Sequence, residues 1–393
     1  MPDAKFYPPQ RNALITRLLQ SISYLVIYFL YKIKLSVSDR DIAKLKVIET
    51  QRVVYLPNHS NLDDGLVMFL LSARAGQLFH YIVACEAFRG WLGKLLRVVG
   101  AYSIRRGVGD RQSIIQTLKI LQQPKCKLVI FPEGGCSYQN DTVMPFRTGG
   151  IELAFKAMAK SAKDTIPDLY LVPVSIKYYY TGKTDAQIAK SLSQLEAALS
   201  IEPQDDDFYL RLRAIGDRVL TNLETEYQID TNPDRDWDRR IAILKQHLLT
   251  YCEQKLDIPP ATQIPNRERV YKIQAVLADL DRSNGDLDYR HLDITAFRLL
   301  NFDAIYDGYV ADKPTPERFF DTLDRIEREV FQIDRPKSKG IRRAKVTIGT
   351  PFNAAEYWQE KKSDRTEVIK DLTQTIQQTV QANLDLSQSQ TAM

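Results

Sequence analysis

The sequence predicts an α/β fold: a mixed, largely parallel sheet flanked by helices, with an apolar N-terminal helix ahead of it and a mainly helical insertion within it. Three observations predict this. Short β-branched runs, such as Leu128–Phe131 and Tyr170–Ile176, are predominantly apolar, as expected of strands covered on both faces. Stretches of helical spacing lie between them and give the alternation from which parallel sheets are built. From about Thr184 to Gly340 the strand signal stops, and charged, helix-period segments take over.

The first element is the apolar stretch Leu14 to Tyr31, interrupted by Arg17 and Gln20 and followed by Lys32 and Lys34. Its uninterrupted apolar part is shorter than the roughly 20 residues a spanning helix needs. Aromatics and lysines at its end fit an element lying in a membrane interface; a short tilted span and a core helix are the alternatives. Residues 1–50 are read as an interfacial region, so the protein is expected at a membrane, peripheral or monotopic, with its site towards the cytoplasm.

Next comes Leu56–Asp64, where His59 stands ahead of the pair Asp63 and Asp64. Such an arrangement can make a general base, because a carboxylate held on one ring nitrogen leaves the other free to accept a proton. Of the 4 histidines, at 59, 80, 247 and 291, His59 alone has acids placed this way. Two geometries stay open. Asn61 can cap a helix beginning at Leu62, with Asp64 as the acidic half of a capping box. On a continuous helix residues four apart share a face, which favours Asp63 as the partner; Asp64 pairs with the ring only if the histidine precedes the first turn.

Three further stretches follow in order: Gly100–Arg106, Leu128–Gly135 and Tyr170–Ile176. Each reads as a buried strand edge delivering residues to a loop, and in such sheets the strand ends build the site. Taken together with the histidine segment they resemble the glycerolipid acyltransferase superfamily. Asn58-His59 with Asp64 is similar to that family's His-x4-Asp block, and Gly100 through Arg106 to its Gly-x5-Arg block. Phe131-Pro132-Glu133-Gly134 resembles its Phe-Pro-Glu-Gly block, extended by Met144–Gly150, and Val172-Pro173-Val174 resembles its Val-Pro block.

The resemblance implies transfer of a fatty acyl group from a thioester donor, acyl-CoA or acyl carrier protein, to a glycerolipid hydroxyl. The first acceptor it suggests is 1-acylglycerol-3-phosphate, giving phosphatidic acid; another lysolipid or a neutral lipid alcohol is the second reading, and a catalytically idle lipid-binding or scaffold protein the third. His59 becomes the general base and Asp64 its orienting carboxylate, without a covalent enzyme intermediate. Arg106, Glu133 and Gly134 fall at the acceptor. The chain departs from the pattern where the family continues Thr-Arg-Ser, since it has Gly135-Cys136-Ser137; three readings stay open, that Arg105 or Arg147 replaces the missing charge, that the acceptor carries its phosphate elsewhere, or that it carries none. Glu133 has two readings, one binding acceptor hydroxyls and one satisfying backbone donors in the glycine turn. No cofactor and no metal is expected beyond the acyl-thioester co-substrate.

The resemblance also divides the chain. Ala344–Phe352 looks like the family's last catalytic strand, so residues 51–184 and 341–393 form the catalytic domain and 185–340 a mainly helical insertion. Roughly 170 residues separate that strand from the Val-Pro block, against a median connection of about 4–6 residues, so they must form structure of their own. Ile188–Leu199, Phe208–Thr225, Trp237–Leu256 and Glu268–Leu280 carry helical spacing, and Thr366–Ala382 supplies a helix after the last strand. The insertion reads as having no repeat of fixed period. His247 and His291 read as structural or surface residues, and Arg239-Arg240 and Arg342-Arg343 as a solvated face or headgroup contacts.

A net charge of +5, from 54 basic and 49 acidic side chains, is too balanced for a nucleic-acid protein, while an anionic membrane surface remains a fitting partner. Cys85, Cys126, Cys136 and Cys252 form no close pair, and with no cleavable secretory signal they fit a reducing compartment.

Overall fold

The structure, a computed structural model, describes residues 6–161, 168–203, 205–230, 236–280, 288–303, 305–360 and 364–389. They fall into two compact units. A sheet unit comprises Lys5–Arg105, Asp110–Tyr179 and Ile341–Met393; a helical unit comprises Tyr180–Gly340 together with Arg106–Gly109.

The sheet unit starts with helix α1 (Ala13–Tyr31), capped by Asn12, whose side chain accepts from the Ile15 N–H at 3.1 Å. This helix is inside out. Its buried stripe is Thr16, Gln20, Ser23 and Ile27, and Gln20 donates to Ser72 Oγ and to the Gln77 carbonyl, both at 2.8 Å. Leu14, Leu18, Leu25, Phe29 and Leu30 face outward instead, exposed by 63% or more. With 19 residues and a mean hydropathy of 1.6 over its most apolar window, it is long and apolar enough to cross a bilayer by length and composition.

There follow β1 (Ile33–Val37), α2 (Asp39–Val47), β2 (Arg52–Pro57), α3 (Asp64–Arg74), β3 (His80–Ala84), α4 (Gly90–Val98), β4 (Ala101–Ile104), α5 (Arg111–Leu121), β5 (Lys127–Val129), α6 (Gly149–Ser161) and β6 (Leu169–Thr181). The helical unit supplies α7 (Thr184–Leu199), α8 (Phe208–Glu226), α9 (Trp237–Lys255), α10 (Asn266–Asp279), α11 (Tyr289–Asn301) and α12 (Pro316–Val330). The chain then returns to the sheet with β7 (Ile341–Ile348), β8 (Phe352–Asn353), α13 (Ala354–Glu360) and α14 (Arg365–Ser389).

The strand order is β1-β7-β6-β2-β5-β3-β4, with β8 on β6. The β1/β7, β2/β6, β2/β5, β3/β5 and β3/β4 pairs are parallel, and the β6/β8 pair is antiparallel. The sheet is therefore mixed and largely parallel. Because β1 pairs with β7 from Ile33↔Arg342 to Val37↔Val346, the sheet unit takes in β1 and α2, which the sequence division had left in the 1–50 membrane region.

Central strand β2 is buried along its whole length, and alternation sends its side chains to two cores. Val53 and Tyr55 pack with Leu45, Val67 and Leu71 from α2 and α3; Val54 and Leu56 join Leu118, Phe155 and Ile376 from α5, α6 and α14. Helix α14 lays Leu372, Ile376, Val380 and Leu384 on that second face at a spacing of four. At about 1.5–3 kcal/mol per buried aliphatic side chain, this stripe outweighs hydrogen bonds worth about 1 kcal/mol each and holds the helix down.

The helical unit contains a recurring motif that the sequence reading lacked, at unequal intervals from Glu196 to Glu224 and from Glu224 to Glu253, so it has no fixed period. Leu192-Ser193-Gln194-Leu195-Glu196, Leu220-Thr221-Asn222-Leu223-Glu224 and Leu249-Thr250-Tyr251-Cys252-Glu253 recur in α7, α8 and α9. Each buried glutamate accepts from an arginine of the next helix: Glu196 from Arg211 Nε, Glu224 from Arg240 Nε and Glu253 from Arg269 Nε, all at 2.8 Å. Each helix then leaves through a left-handed residue, Ser200 (φ 53°), Gln228 (φ 54°) and Asp257 (φ 51°). The next N–H, from Ile201, Ile229 or Ile258, returns to the carbonyl of that same glutamate at 2.8–2.9 Å. The repeat is carried by polar partners on different helices and by a backbone turn, so hydrophobic periodicity alone does not reveal it.

Candidate active site

The site lies where β2 and β5 end. One residue past β2, the Asn58 side chain takes the place of a strand partner: its Nδ2 donates to the Ile176 carbonyl at 3.0 Å and its Oδ1 accepts from the Ile176 N–H at 2.7 Å. The chain leaving β2 is thereby pinned to β6. His59 comes next, mostly buried, with its ring against Phe131 at a centroid distance of 4.4 Å.

His59 Nδ1 stands 2.9 Å from Asp64 Oδ2. That oxygen also accepts from the Asn61 N–H at 2.8 Å, and Oδ1 accepts from the Tyr178 hydroxyl at 2.7 Å. Asp64 is fully buried, so its carboxylate meets the ring in one orientation. The helix starts later than expected: α3 begins at Asp64, and Asn61 caps nothing, its Oδ1 accepting from the Asp63 N–H two residues on at 3.0 Å. An asparagine side chain turned onto its own local backbone competes with helix, so residues 61–63 form a turn and His59 lies outside α3. In that geometry it is Asp64, five residues on, that returns to the ring.

Asp63 points elsewhere. Its carboxylate pairs with Arg342 from β7, whose guanidinium also donates to the Tyr31 carbonyl and lies 5.3 Å from the Tyr178 ring centroid. Arg342 is 5% exposed, which corrects its assignment to a solvated face or a headgroup contact.

Glu133 follows β5 and is buried; Oε1 accepts from the His59 N–H at 2.6 Å and Oε2 from the Met144 N–H at 3.2 Å. Both donors are backbone N–H groups, but they lie outside the Gly134–Gly135 turn and tie the Glu133 loop to the His59 segment and to Met144. Ser137 adds a third tie, its N–H donating to the His59 carbonyl at 2.7 Å. Gly134 sits at φ 73° with the Arg147 guanidinium against it, so that an added Cβ would lie 2.3 Å from Arg147 Cζ. The Arg147 N–H donates to the Pro132 carbonyl at 2.9 Å. Arg147 therefore lies across the same loop that carries Glu133.

The two arginines after β4 divide between the units. Arg105 belongs to the sheet unit, where its N–H donates to Asp110 Oδ2 at 2.8 Å. Arg106 belongs to the helical unit, with its guanidinium 4.5 Å from the Tyr271 ring centroid.

Two participants were missed in the sequence. Tyr178 lies past Ile176, where the expected strand stopped, yet β6 runs on to Thr181 and alternation puts Tyr178 on the face of Val174 and Ile176. Burial, reinforced by the Asp64 charge, pushes its hydroxyl pKa well up, so it stays protonated and donates. Arg342 carried no signal beyond its charge. His80 is a buried structural histidine: its Nδ1 faces the Gly100 carbonyl at 2.9 Å, and burial, aided by Arg11, lowers its pKa to about 4.

A largely parallel sheet whose central strands end at an imidazole beside a buried carboxylate is an α/β architecture with an ionisable pair at its strand ends, where such sheets build their sites. The chemistry follows from the family: residues 39–177 match the model described as Acyltransferase. This part of the chain is an acyltransferase domain of the glycerolipid acyltransferase family, an O-acyltransferase that takes an acyl donor and a lipid acceptor. The matched segment runs from α2 into β6 and includes His59, Asp64, Arg105, Arg106, Glu133, Gly134 and Arg147.

Proposed function

We propose that the protein is a membrane-associated acyltransferase that moves a fatty acyl group from acyl-CoA or acyl carrier protein to 1-acylglycerol-3-phosphate, giving phosphatidic acid. The observation that carries the reaction is the 2.9 Å contact between His59 and buried Asp64 inside the acyltransferase domain. With Nδ1 turned to Asp64, Nε2 is the atom that takes the acceptor's proton. The acceptor oxygen bonds to the thioester carbonyl carbon, the C–S bond then breaks, and the imidazolium returns its proton to the departing thiolate. Such base assistance contributes about a hundredfold to ten-thousandfold.

The phosphate-bearing acceptor is favoured by cations in the sheet unit: Arg147 on the Glu133–Gly134 loop, and Arg105 after β4. Glu133, on the same loop as Arg147, completes the proposed acceptor set within the sheet unit. The membrane reading rests on α1, whose polar stripe is buried and whose apolar side faces out. A helix packed in that sense is suited to lie with its exposed side in lipid.

The test is lipid-product analysis with both donors against 1-acylglycerol-3-phosphate, uncharged-head lysolipids and neutral alcohols. Phosphatidic acid as the main product, lost in His59→Ala, is expected. Equal use of a neutral alcohol sinks the phosphate assignment, and undiminished transfer by His59→Ala sinks the base.

A further inference from the structure

Asp64 is as carefully held as His59, and the group that holds its far oxygen comes from outside the acyltransferase match. Tyr178 lies one residue beyond residues 39–177, on β6. Its hydroxyl donates to Asp64 Oδ1 at 2.7 Å, while Oδ2 takes His59 Nδ1 at 2.9 Å and the Asn61 N–H at 2.8 Å. The carboxylate is thus gripped from two directions, by the 59–64 turn and by the sheet. A buried acid with only the turn contacts would be free to pivot about Oδ2 and move away from the ring.

Tyr178 itself is fixed with unusual redundancy. Asn140 clamps its backbone, Oδ1 accepting from the Tyr178 N–H and Nδ2 donating to its carbonyl, both at 2.7 Å. The Arg342 guanidinium faces the ring and pairs with Asp63, the residue immediately before Asp64. Among the other buried tyrosines, Tyr55 donates to Gln77 Oε1, Tyr102 bonds Thr117, and Tyr309 donates to Asp321 Oδ2. Tyr178 instead bonds the carboxylate that faces the imidazole.

We propose that Tyr178 is a positioning residue of the acyl-transfer site, whose hydroxyl fixes the Asp64 carboxylate so that its other oxygen orients His59. This rests on the reading of His59 as the base. The hydroxyl touches neither substrate nor His59; it acts through Asp64. A hydrogen bond to a charged group, lost without change of shape, corresponds to about tenfold in rate when it is used in the transition state.

The test uses the full chain in detergent or phospholipid vesicles, with acyl-CoA and 1-acylglycerol-3-phosphate as probes. Tyr178→Phe is expected to lower kcat about tenfold, with the donor KM and the melting temperature little changed. The low-field proton NMR signal of the His59–Asp64 bond should shift in Tyr178→Phe and vanish in Asp64→Asn. Fluorotyrosine placed at 178 keeps the shape and makes the hydroxyl a stronger donor, so the signal should move the opposite way; this arm decides the matter if Tyr178→Phe folds poorly. Wild-type kcat in Tyr178→Phe, or a low-field signal indifferent to both replacements, overturns the positioning role. His59→Ala separates the two readings. If it is inactive while Tyr178→Phe is fully active, only the positioning role falls; if it is fully active, base and positioning fall together.

Discussion

Replacing Asp64 by asparagine changes one atom of the site without changing its shape. The carboxylate takes three hydrogen bonds, from His59 Nδ1, the Asn61 N–H and the Tyr178 hydroxyl. An amide keeps one acceptor oxygen. If that oxygen stays with Tyr178, the new NH2 faces both His59 Nδ1 and the Asn61 N–H. Nδ1 must then accept, the ring proton moves to Nε2, and the nitrogen meant to take the acceptor's proton already carries one. Base catalysis worth about a hundredfold to ten-thousandfold is lost, which at 1.36 kcal/mol per factor of ten is about 3–5 kcal/mol of barrier. The Asn61 N–H, left facing a donor, costs about 1–3 kcal/mol of stability. Release of free CoA thiol measures the first effect and a denaturant titration the second. The neighbouring change Asp63→Asn is the control, because Asp63 pairs with Arg342 and not with the ring. Retention of more than about a tenth of wild-type kcat by Asp64→Asn, below the range of general-base contributions, refutes the reasoning. So does an equal kcat loss in folded Asp63→Asn.

Three further outcomes follow from the same geometry. Arg342→Met leaves Asp63 buried without its ion-pair partner and should cost about 3–5 kcal/mol, read as an earlier denaturant midpoint. Gln381→Ala removes the acceptor of the Val143 N–H and the donor to the Asp141 carbonyl, so amide exchange at Val143 should accelerate while that of β2 is unchanged. His80 has a folded pKa of about 4 against an ordinary value of 6.5, so between these the unfolded chain binds the extra proton and stability falls as pH drops from 6.5 towards 4. The full effect is about 3 kcal/mol, and His80→Gln should flatten that part of the stability–pH curve.

The strands that carry the site were legible because covered parallel strands favour continuous apolar runs, and β2, β5 and β6 each contain one. Edge strand β1 and interior strand β3 escaped notice: Ile33–Val37 and His80–Ala84 are short, and polar or aromatic positions break their runs. His59 stood out because two acids follow it, but spacing alone did not decide between them. That decision belongs to the turn at Asn61, which delays α3 by two residues, and turns of this kind depend on one side-chain hydrogen bond. Tyr178 and Arg342 reach Asp64 and Asp63 from more than a hundred residues away. Only the pairing of strands brings them there. The recurring motif of the helical unit was present in the letters, with glutamates at 196, 224 and 253, yet its sense lies in arginines supplied by the following helix.

The place of β7 in the sheet has a consequence for synthesis. It sits between β1 and β6, but the ribosome makes it last of the three, after the whole of α7 to α12. At about 5–20 residues per second, the roughly 160 residues after β6 take about ten to thirty seconds to emerge. Throughout that interval β6 offers one open edge and β1 has no strand to pair with, the condition in which nascent chains are most prone to join one another. Chains halted before Ile341 should therefore associate through these edges even though the histidine–aspartate segment is already complete.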